Sequence, residues 1–255
     1  MYPVLIKIGP LTIRSYGVMM ALAFLAARVV LSRELRRRAL NPNIADGVVI
    51  AGLIGGIVGA KFYFLVEHIR EVLDAPFEMI FSGSGLVWYG GFAGGAVGGL
   101  WFAWRQEIGP ARMADLAAPA LALGYVFGRL GCLLAGDDYG KATSLPWGMT
   151  FPEGMPPTTT PVHPTQIYEM VLSLVLFAAI WRWRRKARPD GYLFAVYGML
   201  AGTERFVVEF WRVTTPALWG VTVAQVISLA LILGGLGGVL ALSGGSKRKA
   251  TTQGR

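Results

Sequence analysis

Leu121-Ala-Leu-Gly-Tyr-Val-Phe-Gly-Arg-Leu-Gly-Cys-Leu-Leu-Ala135 is apolar enough to lie in a bilayer, yet it carries Arg129. A guanidinium keeps its proton at any relevant pH. In the middle of a membrane helix it costs roughly 3 kcal/mol on insertion scales. A residue that expensive points to an anion. A second arginine, Arg205, recurs in a similar apolar run, so the question is which anion the two share.

The rest of the chain agrees with a membrane setting. It has 255 residues, 54% of them hydrophobic, and a mean hydropathy of +0.52, which is high for a soluble domain. That leaves room for about seven spans of ~20 residues. The hydrophobic runs place them near 14–32, 47–66, 86–104, 114–134, 164–182, 191–211 and 222–243, giving an all-α polytopic protein. The first run lacks a cleavage signature and reads as retained. Residues 1–243 read as one transmembrane catalytic domain with an outer loop at about 135–163, and 244–255 as a basic, disordered cytoplasmic tail.

The formal charge of +9 invites a nucleic-acid reading, but its distribution argues otherwise. Fifteen of the 24 Lys and Arg fall in four segments: Arg33 to Arg38, Arg105 to Arg112, Arg182 to Arg188 and Lys247 to Arg255. The loops between, such as Glu67 to Glu78 and Ala135 to His163, carry few. That is positive-inside alternation rather than a basic groove, so no nucleic-acid partner is expected. It places the N-terminus outside and the C-terminus in the cytoplasm. Tyr16, Lys61, Tyr89, Arg129, Arg205 and the start of the fifth span then share the outer half of the membrane. One cysteine, Cys132, and two histidines, His68 and His163, argue against a metal site, and no cofactor motif is present.

Several constellations admit two readings. Gly52, Gly55, Gly56 and Gly59, and the pairs Gly90–Gly91, Gly94–Gly95 and Gly98–Gly99, repeat every four residues. One glycine-lined helix face permits close backbone packing; the functional reading is a backbone exposed to a lipid. Arg129 lies between Gly128 and Gly131, and either binds phosphate through its planar fork or pairs with Glu169 or Glu209. Arg205, Glu209 and Arg212 are spaced i, i+4, i+7. They form either a self-neutralising stripe or an arrangement in which Glu209 orients Arg205 toward an anion shared with Arg129. Tyr16 and Tyr89 suit the interfacial aromatic belt, and Tyr89 within Gly85-Leu-Val-Trp-Tyr-Gly-Gly91 has glycines opening space around its hydroxyl. Lys61 reads as snorkelling to the outer headgroups, and Cys132 as a small hydrophobe. Asp137 and Gly140, in Gly136-Asp-Asp-Tyr-Gly140, read as loop solvation and turn or as part of a site. The Pro-, Gly- and Thr-rich loop 135–163 is either a connector or a partly structured lid or groove.

At these residues the chain resembles the prolipoprotein diacylglyceryl transferase family. Gly128-Arg-Leu-Gly-Cys-Leu-Leu-Ala-Gly-Asp-Asp-Tyr-Gly140 is similar to its Gly-Arg-x-Gly-Asn signature, followed by an acidic residue and glycine. His163-Pro-Thr-Gln-Ile-Tyr-Glu169, Arg205-Phe-Val-Val-Glu-Phe-Trp-Arg212 and the Tyr16-Gly17 entry match its other elements in order. The resemblance implies transfer of the diacylglyceryl group of phosphatidylglycerol to the lipobox cysteine of a preprolipoprotein signal peptide in a bacterial inner membrane. It implies no cofactor. By the same resemblance Arg129 and Arg205 would bind phosphate and Tyr89 would position the reacting groups. Tyr16, Asp137, Gly140, Glu209 and Gln166 would form the substrate-binding shell. Cys132, Ala135 and Ala201 stand where the family carries polar residues, and Tyr89 where it frequently carries His. These differences motivate the alternative of a lipid- or lipopeptide-binding paralogue without transfer; a transporter is a weaker third reading.

Overall fold

The computed structural model describes residues 1–9, 11–82, 87–214 and 220–252, with side chains left undescribed at 11 and 244–252. Gly85 and Leu86 of the tyrosine-glycine stretch, and residues 253–255 of the tail, therefore lie outside the described residues.

Among the described residues seven long helices overlap the expected runs, the first ending five and the last nine residues beyond its expected end. They are α1 (Ser15–Arg37), α2 (Ile44–Glu67), α5 (Trp88–Arg105), α6 (Pro110–Ala135), α7 (Thr165–Trp183), α8 (Tyr192–Val208) and α9 (Val223–Thr252). Two short helices, α3 (Ile69–Asp74) and α4 (Pro76–Phe81), fill the loop after α2. Among the described residues, five helices are long and apolar enough to cross a membrane: α1, α2, α6, α7 and the Val223–Ser243 part of α9. In α5 the repeated glycines replace apolar side chains and lower its hydropathy. Helix α8 has 17 residues and passes into a 3-10 turn at Glu209–Trp211. Large aliphatic side chains along α2 and α9, such as Ile54, Val58, Leu233 and Leu240, are exposed. The hydrophobic effect assigns such faces to lipid rather than water.

The all-α expectation needs one amendment. Strands β1 (Val4–Ile8) and β2 (Leu11–Arg14) form an antiparallel hairpin with Val4 opposite Arg14 and Ile8 opposite Leu11, irregular between Val4 and Ile6. Gly9 takes φ +57° between them. Strands β3 (Met149–Phe151) and β4 (Thr158–Val162) form a second antiparallel pair inside the 135–163 loop. This loop is no plain connector. Tyr139 stacks on Phe151 with ring centroids 5.3 Å apart, and its hydroxyl donates to the Pro156 carbonyl at 2.6 Å.

The chain divides into two compact units: Met1–Ala27 with Asp115–Arg255, and Arg28–Ala114. In the first, Ala118 and Ala122 of α6, Leu176 and Ile180 of α7, and Leu193 and Val196 of α8 form a buried core. Ala201 and Val239 pack against it. The start of α8 is fixed from α6: the Asp115 carboxylate accepts the backbone N–H of Gly191 at 2.9 Å and of Phe194 at 2.7 Å, satisfying donors that a helix N-terminus leaves open.

The second unit is organised by α2 against α5. A Cβ at Gly55 would strike the Gly94 carbonyl, one at Gly59 the Gly90 carbonyl, and one at Gly98 the Ala51 carbonyl. The two glycine faces thus meet each other, as the packing reading expects. Lys61 Nζ donates to Ser82 O at 3.0 Å and Oγ at 2.8 Å.

Candidate functional site

Three arginines and three carboxylates converge in the first unit, drawn from α6, α7, the end of α8 and the loop after α6. Gly136, at φ +75°, ends α6, and its N–H donates to Cys132 O at 2.8 Å. The chain then turns back at once. Arg129 Nη1 donates to Asp138 Oδ2 at 2.8 Å, nine residues on. The nearest carboxylates in sequence thus do supply a partner from beyond the helix end.

Glu169 is the hub. It is fully buried (0% exposed) on the first turns of α7. Its carboxylate lies 3.3 Å from Arg129 Nη1, 3.6 Å from Arg212 Nη1 and 3.8 Å from Arg205 Nη1. It also accepts the Tyr125 hydroxyl at 3.0 Å. The anion shared by Arg129 and Arg205 in this structure is therefore Glu169. Glu209 lies 2.6 Å from Arg205 and 3.8 Å from Arg212, and accepts the Thr222 hydroxyl at 2.8 Å. The i, i+4, i+7 stripe thus pairs as its spacing suggests, although a 3-10 turn carries Glu209. Arg205 Nη1 and Arg212 Nε are buried without a hydrogen-bond partner among the described residues. Their contacts, Arg205 Nη1 to Glu209 at 2.6 Å and Arg212 Nε to Glu209 at 3.8 Å, are ionic rather than aligned hydrogen bonds.

The remaining expected residues build the frame. Gln166 Nε2 donates to Asp137 O at 2.5 Å, and Thr165 Oγ1 to Asp138 O at 2.8 Å. Gly140 bridges to Arg212; its N–H donates to His163 O at 2.8 Å, and a Cβ there would meet the Trp211 carbonyl, Thr165 and His163. Only glycine fits that crossing. His163 Nδ1 is 3.1 Å from the Tyr168 hydroxyl, to which Trp147 Nε1 donates at 2.9 Å. Tyr16 packs on Gly131, where a Cβ would come within 3.1 Å of its ring, and lies within electrostatic reach of Arg129, Asp137 and Asp138. Tyr89, in the first turn of α5, is half exposed and belongs to the other unit.

Asp137 and Asp138 are adjacent but tuned oppositely. Burial, with Asp138 beside it, pushes the Asp137 carboxyl above its ordinary range. For Asp138 burial alone would do the same, but Arg212 and Arg129 outweigh it and hold the carboxyl low. Cys132 Sγ and oxygens of both aspartates lie within 4.8 Å of one another. With Asp138 already neutralised by arginines, that group is poorly suited to a cation. Glu204 is a further buried carboxylate, accepting the Ser173 hydroxyl at 2.7 Å and 2.9 Å.

Of the residues the sequence singles out, Arg129, Arg205, Glu209, Asp137, Gly140, Gln166 and Tyr16 all lie in the first unit, whereas Tyr89 lies in the second. The sequence offers Glu169 only as an ion-pair partner of Arg129 and Arg212 only as part of the stripe, and it singles out neither Asp138, Tyr125 nor Thr165. All five lie inside the quoted stretches, Tyr125 one helical turn before Arg129, so their signal was present as neighbours of the chosen residues.

Comparison with known proteins identifies the family. The family model described as prolipoprotein diacylglyceryl transferase matches residues 3–241. A phosphatidylglycerol–prolipoprotein diacylglyceryl transferase of Clostridium tetani is 37% identical over 214 residues, covering 83% of this chain and 86% of that protein. Proteins of the same name from Nitratidesulfovibrio vulgaris and Geobacter sulfurreducens are each 36% identical, the first over 92% of both chains and the second over 82% of both. The chain belongs to the prolipoprotein diacylglyceryl transferase family.

Proposed function

We infer, from membership of that family, that this protein transfers the diacylglyceryl group of phosphatidylglycerol to the lipobox cysteine thiol of a preprolipoprotein. The sulfur forms a bond to the terminal glyceryl carbon. The bond from that carbon to the phosphate oxygen breaks, and its electron pair leaves with glycerol phosphate. The proton lost by the thiol ends on the departing phosphate or in water. The observation that carries this reading is the convergence of Arg129, Arg205 and Arg212 on one buried carboxylate. Charge developing on a departing phosphate is what such fixed donors stabilise.

In this reading Arg129 and Arg205 hold the phosphate, and Glu209 orients Arg205. Asp137, Gly140 and Gln166 fix the loop that carries the site, Tyr16 lines it beside Gly131, and Tyr89 positions the reacting groups. The chain is a multi-pass protein of the bacterial inner membrane. Helices α5 and α8 complete seven spans, the N-terminus lies outside, and the site faces the outer leaflet. The alternation of basic segments supports that orientation. The substrate supplies the nucleophile, which agrees with a chain whose single cysteine is buried.

The test is a mass-spectrometric transfer assay with purified protein, phosphatidylglycerol and a lipobox peptide. A diacylglyceryl mass gain on the peptide cysteine, lost in Arg129→Ala, is the expected result. No gain from folded protein, across several anionic lipids and peptides, would replace this reading with binding of a lipid or lipopeptide without transfer.

A further inference from the structure

Asp138 holds its arginines differently from the other carboxylates of the cluster. It bridges two guanidiniums with one oxygen each, Oδ2 to Arg129 Nη1 at 2.8 Å and Oδ1 to Arg212 Nη2 at 2.7 Å. Glu169 reaches the same two residues at 3.3 Å and 3.6 Å. Glu169 is fully buried and also serves Tyr125 and Arg205, so removing it would strand several charges at once. The Asp138 side chain is 42% exposed and has solvent to move into.

Its backbone is secured without the side chain. Gln166 holds the preceding carbonyl, Thr165 holds the Asp138 carbonyl, and Gly140 N–H is bonded to His163 O. Asp138 itself takes a φ of +62°, in the left-handed region that Asp tolerates better than most residues. The carboxylate can therefore rotate away while the loop stays in place. Charge supports the exchange. Three arginines meet three ion-paired carboxylates, so an entering phosphodiester would leave one uncompensated negative charge unless a carboxylate departed. A phosphodiester carries the same single charge and two free oxygens as a carboxylate, and the guanidinium fork accepts both.

We propose that Asp138 is an exchangeable internal ligand that occupies Arg129 and Arg212 until the lipid phosphodiester displaces it from Arg129, the arginine that holds the phosphate together with Arg205. The proposal rests on the reading above that an anionic phospholipid is the substrate. An internal competitor lowers apparent affinity by the fraction of molecules in which it is bound. Asp138 thereby sets how much lipid is needed to fill the site.

The experiment measures transfer kinetics in mixed micelles with phosphatidylglycerol varied, for the native protein and Asp138→Asn. Alongside, short-chain phosphatidylglycerol is titrated onto both detergent-solubilised proteins without peptide. The expected result is a KM and a dissociation constant about tenfold lower in Asp138→Asn, about what one net charge-assisted hydrogen bond is worth, with the change falling on KM rather than kcat. An unchanged or raised KM and dissociation constant would overturn the proposal. So would a variant that fails to fold, because a ligand that leaves in every turnover cannot be required by the fold. If the native protein binds but does not transfer, the transferase reading falls. The titration then still decides the role of Asp138: tighter binding in Asp138→Asn sustains it, and unchanged or weaker binding removes it.

Discussion

The α2–α5 pair and the arginine cluster are held together by opposite means. Between α2 and α5 the binding element is an absence: without Cβ atoms at Gly55, Gly59, Gly90, Gly94 and Gly98, one backbone rests on the other. In lipid, where burial of apolar surface gives little drive between helices, such contact supplies dispersion and weak Cα–H···O attraction. In the first unit the binding elements are charges, collected from positions 129, 138, 169, 205, 209 and 212. The first arrangement is local, repetitive and steric. The second is long-range, unrepeated and electrostatic. The difference teaches where tolerance lies: the glycine seam resists any added atom, whereas the cluster resists removal of its buried charges and tolerates change at the exposed Asp138.

Substitutions separate the two. Arg129→Ala should have the largest effect, cutting transfer by about a hundredfold to a thousandfold, as loss of one donor to developing oxyanion charge does, while the protein still inserts. Single-turnover transfer on protein checked for folding measures it. Glu169→Gln keeps the shape but removes the carboxylate common to three arginines. It should lower stability by roughly 3 kcal/mol, read from thermal unfolding in detergent; an unchanged midpoint would mean that Glu169 is not the hub. Gly94→Val puts a branched side chain against the Gly55 carbonyl and Gly59 Cα. A loss of about 1–3 kcal/mol in the same assay is expected. Gly198→Ala makes the opposite test, since a Cβ there meets nothing within 4 Å. In a helix interior it should gain about 0.5–1 kcal/mol, and a loss would show that the seam is not special.

The smallest effect is in pH dependence. Arg212 and Arg129, outweighing burial, hold the Asp138 carboxyl below its ordinary value. Its stabilisation is therefore complete above the ordinary carboxylate range near pH 4 and is lost as pH falls through the depressed value. Unfolding measured against pH should lose a small part of its acid limb in Asp138→Asn. Half exposure of that side chain keeps the effect modest.

The seven long helices were legible because a 20-residue apolar run between basic segments has few other uses. The glycine seam was legible because four-residue spacing fixes a helix face whatever it meets. Arg129, Arg205 and Glu209 were legible because charge in an apolar run is too costly to be incidental. The β1–β2 and β3–β4 hairpins were not, since short exposed strands carry no strong alternation and depend on their partners.

The sequence by itself thus determined which helices form, which faces lack side chains and which residues bear costly charge, because these follow from period and composition along one element. Only the tertiary structure decided that Arg129 is shared between Asp138 and Glu169, that Arg212 joins them, and that Lys61 is tied to Ser82. Pairing of charges is a property of distance, and distances among α6, α7 and the end of α8 are set by how their cores pack. Hydrophobic period records which face is buried but not against which partner.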